Sequence, residues 1–222
     1  MTLAPMDAGT LYSELLAAYG RQDWWPAETP LEVVVGAVLT QNTNWNNVAI
    51  AIANLKGQEL LELNGLLVAP EEDVKAAIRP SGFYNIKYDR LRNVLAFLDE
   101  GGGLEAVAAR SENGLRDDFL AVRGVGEETA DSILLYALEK PSFVVDSYTR
   151  RLLSRLGHTW ATRSPYTDVQ AWFTQQMPRE VDVYKQYHAL IVQHAKAHCK
   201  KAPLCEGCTL AALCPAHGDG TA

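Results

Sequence analysis

Apolar residues recur at helical spacing along most of the chain. Residues 10–20 read as a helix: Thr10 can cap it, Leu11, Leu15, Leu16 and Tyr19 share a face, and Gly20 can end it. From position 31 the chain is almost wholly apolar for ten residues, the pattern of a buried helix. Gln41-Asn42-Thr43-Asn44 then interrupts it, and Trp45 opens a second helix carrying Val48, Ile50, Ile52 and Leu55. Glu71, Glu72 and Asp73 after Pro70 mark a further helix start, with acids in the first turn. Tyr88 begins another helix, which stops before Gly101-Gly102-Gly103. Leu115, Phe119 and Val122 line one face before Arg123-Gly124-Val125-Gly126, and Ala130, Ile133, Leu134 and Ala137 line another after it. Val144-Val145-Asp146 leads into a helix over 146–157 with a Leu152/Leu153/Leu156 stripe. Helices near 166–178 and 181–198 follow, the latter with Val181, Tyr184, Tyr187, Leu190, Ile191 and His194 in phase. There is no alternating strand pattern and no repeat longer than a helix, so the expected class is all-α.

Composition narrows this picture. A chain of 222 residues, 48% hydrophobic, can bury a core in one domain or two small lobes. No apolar run approaches the ~20 residues of a membrane span, and the N-terminus lacks a signal peptide's basic start and apolar middle. These features point to a soluble intracellular protein. The net charge of −7 argues against nucleic acid until it is resolved along the chain. Residues 143–202 hold nine lysines and arginines against four acids, a local +5 that leaves −12 elsewhere. One basic face on an acidic protein permits DNA binding without requiring it.

Four stretches carry candidate chemistry. Gly124-Val125-Gly126 between two helices would turn the backbone sharply and point N–H groups outward at a helix N-terminus, an anion site suited to phosphate; the alternative is a plain turn. Asp146 stands where a helix begins, as an N-cap or as a functional carboxylate. Asp23-Trp24-Trp25-Pro26 is a loop whose tryptophans either face a cavity or plug a seam between domains. All four cysteines, Cys199, Cys205, Cys208 and Cys214, fall in the last 24 residues, where they can wrap one metal centre. A [4Fe–4S] cluster, zinc and free thiols are the choices, and the single C-x-x-C pair is one knuckle short of a common zinc ribbon.

Taken together, the hairpin, the aspartate twenty residues beyond it and the cysteine tail resemble the helix-hairpin-helix base-excision DNA glycosylases of the endonuclease III-like branch. The resemblance implies two helical lobes with a groove between them. Residues 29–140 would form a six-helix barrel holding the hairpin; 1–28 with 141–222 would form the second lobe with a structural [4Fe–4S] cluster, zinc being the alternative. The first cysteine gap is five residues, where six is the common family spacing. The implied partner is double-stranded DNA containing a damaged base, met by a monomer in the nucleoid-associated cytoplasm of a bacterium or archaeon. Gln41 would enter the duplex opposite an extruded nucleotide. Phe83, in Gly82-Phe83-Tyr84-Asn85-Ile86-Lys87, which is similar to the family's G-x-Y-N-x-K loop, would wedge between base pairs unless it is core. Arg123, Gly124, Val125 and Gly126, with Lys200 and Lys201, would meet the backbone phosphates.

Asp146 would then stabilise the positive sugar that develops as the N-glycosidic bond breaks, and orient water. Bifunctional relatives carry a lysine nucleophile in G-V-G-x-K-T-A; here Glu128 occupies that position, and a carboxylate cannot form a Schiff base. A monofunctional glycosylase is expected. Trp24, Trp25 and Pro26 with Trp45 resemble the base pocket of the 3-methyladenine glycosylases. Aromatic faces suit a cationic alkylated purine, and Glu128 would complement its charge. The other readings are a uracil/thymine mismatch glycosylase, an adenine glycosylase acting opposite oxidised guanine, a DNA-binding protein without catalysis, and a structural module.

Overall fold

The computed structural model describes residues 4–22 and 27–218. Among them every regular element is helical, and none of the helices is long and apolar enough to cross a membrane. The chain divides into two compact units, residues 25–140 and residues 1–24 with 141–222.

In chain order the helices are α1 (Ala8–Tyr19), α2 (Pro30–Leu39), α3 (Trp45–Gly57), α4 (Leu63–Val68), α5 (Glu71–Ile78), α6 (Tyr84–Glu100), α7 (Leu104–Ala109), α8 (Leu115–Ala121), α9 (Glu127–Ser132), α10 (Ser147–Arg155), α11 (Tyr166–Thr174), α12 (Val181–Ala197) and α13 (Pro215–Gly218). Three boundaries differ from the sequence reading. Asp7, not Thr10, caps α1: its carboxylate accepts the Thr10 N–H at 2.9 Å, one turn before the helix was expected to start. The helix expected from Tyr88 begins at Tyr84. The helix expected to reach 178 stops at Thr174. The short helices α4 and α7 have too few turns to show a period and went unread.

The unit 25–140 is built around α2. Residues 31–39 are all buried, as a helix apolar on every side must be. It packs against α3, α6, α9 and the segment that prolongs α9. Its one buried charge, Glu32, is answered by Lys56 Nζ at 2.9 Å. Ile50, read as part of the α3 apolar set, instead faces solvent, while Val48, Ile52 and Leu55 are buried. After Ser132 the hairpin's second helix widens into a π-turn over Ile133–Ala137, where the Leu138 N–H reaches back to Ile133 O.

In the other unit α1 packs on α12. The Tyr187 hydroxyl donates to Ala8 O at 2.7 Å, and Phe143 stacks on Phe173 with ring centroids 4.2 Å apart. The non-helical residues 143–145 are buried, fixed by Gln170 Nε2 to Phe143 O (2.7 Å) and by the Val145 N–H to the Tyr166 hydroxyl (3.0 Å). This run delivers Asp146 to the start of α10.

Candidate functional site

Within residues 25–140 three turns carry the candidate DNA-contacting residues. The first follows α2. Gln41 has its whole carboxamide engaged: Nε2 donates to Gly124 O (3.2 Å) and Thr129 Oγ1 (3.0 Å), and Oε1 accepts from Arg90 Nη1. Its side chain is therefore tied to the hairpin. Trp45 is half-buried at the start of α3, beside Asn44, whose Oδ1 caps the helix through the Asn47 N–H at 3.2 Å.

The second turn holds Phe83 outward. Phe83 is 68% exposed with φ +47, a left-handed backbone that bulky residues rarely adopt. The reading of Phe83 as a core residue is thereby excluded. Its surroundings over-determine the strained turn: the Lys87 N–H donates to Phe83 O at 3.0 Å, and the buried Lys87 ammonium donates to Ser81 O (2.6 Å) and Leu39 O (2.8 Å). Burial pulls the Lys87 amine down to about 8, and the neighbouring Arg90 charge adds to the effect.

The third turn is the Gly-x-Gly elbow between α8 and α9. Its glycines are there for different reasons. Gly124 has φ +95, and a Cβ would run into the Arg90 side chain. Gly126 has φ −100, and nothing in the protein lies near where its Cβ would stand, so the bare backbone there is open to an outside group. The elbow does not turn every N–H outward as expected: that of Val125 is spent on Val122 O at 3.0 Å. Val125 itself is buried, whereas Arg123 and Glu128 are exposed. Arg116 on α8 grips the fully buried Asp131 on α9 in a two-pronged pair, Nε–Oδ1 2.8 Å and Nη2–Oδ2 3.0 Å, which fixes the angle of the hairpin.

In the other unit Asp146 is the N-cap of α10. Oδ1 accepts from both the Thr149 N–H (2.7 Å) and Thr149 Oγ1 (2.8 Å), whereas Oδ2 faces His188 Nε2 on α12 at 3.6 Å. The side chain is 12% exposed. Burial is the largest influence and raises its pKa, but the nearby His188 imidazole and the two Thr149 hydrogen bonds together outweigh it, and the carboxyl is held below its usual 3.8. The group stays ionised. His188 was not read from the sequence: it sits in phase with Val181, Tyr184 and Ile191 on the buried face of α12, where the pattern alone makes it one more core position.

The four cysteines are free thiols bordering one cavity, closed on other sides by Leu152, Leu156 and Leu210. Among the described residues, no three His, Cys, Asp or Glu side chains are gathered closely enough to hold a metal ion. Burial raises the Cys208 and Cys214 thiols, backbone N–H groups pull them back, and the charges of neighbouring cysteines raise them further. Four thiolates drawn together would repel unless a cation joined them, so the donor set suits a metal centre. Arg155 braces this loop through Cys199 Sγ (3.2 Å), Lys200 O (2.7 Å) and Lys201 O (3.0 Å), leaving both lysine residues exposed. Trp24, Trp25 and Pro26 lie outside the described residues.

Comparison with known proteins agrees with the fold. The model of the HhH-GPD superfamily of base excision DNA repair proteins matches residues 35–177. A Methanocaldococcus jannaschii protein whose provisional name is DNA repair glycosylase is 49% identical, over 92% of this chain and 94% of its own. The Helicobacter pylori 3-methyladenine DNA glycosylase, solved bound to 1,N6-ethenoadenine, superposes with a TM-score of 0.77 at 27% identity, over 86% of this chain and 98% of that one. An endonuclease III trapped as a covalent intermediate with DNA shares the fold, with a TM-score of 0.80 at 20% identity over 96% and 97% of the two chains. The chain belongs to the HhH-GPD superfamily of base excision DNA repair proteins, as a DNA glycosylase.

Proposed function

We propose that this glycosylase is monofunctional and releases an alkylated purine such as 3-methyladenine from double-stranded DNA. The observation that carries the reading is the ionised Asp146 at the start of α10, in a chain with Glu128 where a nucleophilic lysine would stand. The damaged nucleotide is extruded from the stack. Phe83 fills the space between base pairs, Gly124 to Gly126 and Arg123 hold the strand, and Lys200 and Lys201 add phosphate contacts.

The bond between C1′ and the purine breaks with its electron pair moving into the ring, which neutralises the methylated base. Asp146 stabilises the positive sugar through Oδ2, because Oδ1 is committed to Thr149. Water adds to C1′ and loses its proton to the carboxylate. The product is a free base and an abasic site in an intact strand.

A cationic base needs little acid assistance to leave and is held by aromatic faces at roughly 0.5–2 kcal/mol each. Trp24, Trp25 and Trp45 are the faces proposed, with Pro26 beside them and Glu128 as counter-charge. Trp25→Ala and Trp45→Ala are each expected to lower excision of methylated purines roughly tenfold. Unchanged excision by both variants contradicts this pocket.

Cys199, Cys205, Cys208 and Cys214 would hold a [4Fe–4S] cluster, which when bound supplies a cross-link rather than redox chemistry. Elemental analysis of the purified protein is expected to find iron with matching inorganic sulfide, both lost in Cys205→Ser. Zinc in their place contradicts the cluster.

A further inference from the structure

Three side chains of α6 reach the three turns described above. Lys87 holds the carbonyls that end α2 and precede Gly82-Phe83 (Leu39 O and Ser81 O). Three residues on, Arg90 donates to Gln41 Oε1, and its aliphatic stem lies against Gly124 where a Cβ would be. Three further on, Asn93 Nδ2 donates to Arg123 O at 2.9 Å. Residues three apart are neighbours along one helix face, and a helix is a rigid ruler rising about 1.5 Å per residue. The Gln41 turn, the Phe83 turn and the glycine elbow are therefore all indexed to one rod. Gln41 closes the circuit, since its Nε2 joins the Gly124 carbonyl to Thr129 on the next helix.

We infer that Arg90 and Asn93 are positioning residues for DNA binding, fixing the glycine elbow in register with the Gln41 turn without touching the DNA themselves. Nothing in the local sequence requires either residue. Both are half-buried on α6, and what they hold is loop backbone and a loop side chain rather than the core. The elbow's own turn bond, Val125 N–H to Val122 O, sets its shape; Asn93 and Arg90 set its place. The inference rests on the proposed DNA-binding role of the elbow.

The test is duplex binding by fluorescence anisotropy, with an oligonucleotide carrying a tetrahydrofuran abasic analogue, across a salt series. Arg90→Met keeps the stem over Gly124 and removes the guanidinium; Asn93→Leu keeps volume and removes the donor. Each is expected to weaken Kd about tenfold, and Arg90→Lys to recover most of the loss. The double variant Arg90→Met/Gln41→Ala is expected to bind like Gln41→Ala alone, because Arg90 acts through Gln41. The slope of log Kd against log salt is expected to stay at the wild-type value. A slope smaller by about 0.9 would make Arg90 a direct phosphate ligand and overturn its positioning role. Wild-type Kd in Arg90→Met and Asn93→Leu, or strict additivity in the double variant, also overturns it. Should Arg90→Met fail to fold, Asn93→Leu and Arg90→Lys carry the same comparison. A wild-type protein that binds no duplex contradicts the parent reading, and is distinguishable from variants that merely match it.

Discussion

Replacing Asp146 with asparagine is expected to lower base release about 10²–10³-fold while leaving duplex binding intact. Asparagine is close in size and its Oδ1 can still accept from Thr149, so α10 keeps its cap. What disappears is the negative charge on the oxygen facing His188 and, in the proposed reaction, the sugar. The two functions of this carboxylate are thus separable on its two oxygens. A drop in binding that matches the drop in turnover would show that Asp146 serves only the fold. The same variant has a signature in acid. Because the folded pKa of Asp146 lies below 3.8, its contribution to stability is complete above that value and is lost as pH falls through the depressed one. Urea unfolding of the wild type is expected to weaken over that acid window by a component that Asp146→Asn lacks.

The second large effect is all-or-none. Incubation with damaged DNA and borohydride is expected to leave no covalent adduct, because reduction traps only an imine and the hairpin presents the Glu128 carboxylate where a nucleophilic amine would be needed. Lys87 does not substitute for it: the side chain is 1% exposed, and its ammonium is engaged by Leu39 O and Ser81 O. An adduct visible on a denaturing gel would require another amine to attack the sugar and would end the monofunctional reading.

Local pattern disclosed much of this molecule, and the residues show where it stopped. The buried α2, the Gly124–Gly126 elbow and the aspartate opening α10 were legible because each is set by its immediate neighbours: a run of apolar residues, a pair of glycines, a side chain that caps its own helix. The α1 start was misjudged by one turn because Asp7 and Thr10 are both good caps, and the choice lies in tertiary contacts such as Tyr187 to Ala8 O. The distinct duties of the two glycines could not be read, since only the Arg90 stem, 34 residues earlier in the chain, separates a glycine needed inside from one open to the outside. Likewise the His188 facing Asp146 comes from a helix that starts 35 residues later, and within that helix it reads as one more buried position. The outward Phe83 was visible as a family-like motif, but its left-handed backbone depends on Lys87 reaching across to the end of α2.

The most direct test of the central claim is product analysis on a duplex bearing 3-methyladenine, with the released base measured by chromatography and the strand by gel, before and after alkali. The account predicts free methylated base, and a strand that is cut only once alkali is added. No base release, or a strand cut before alkali, would contradict it.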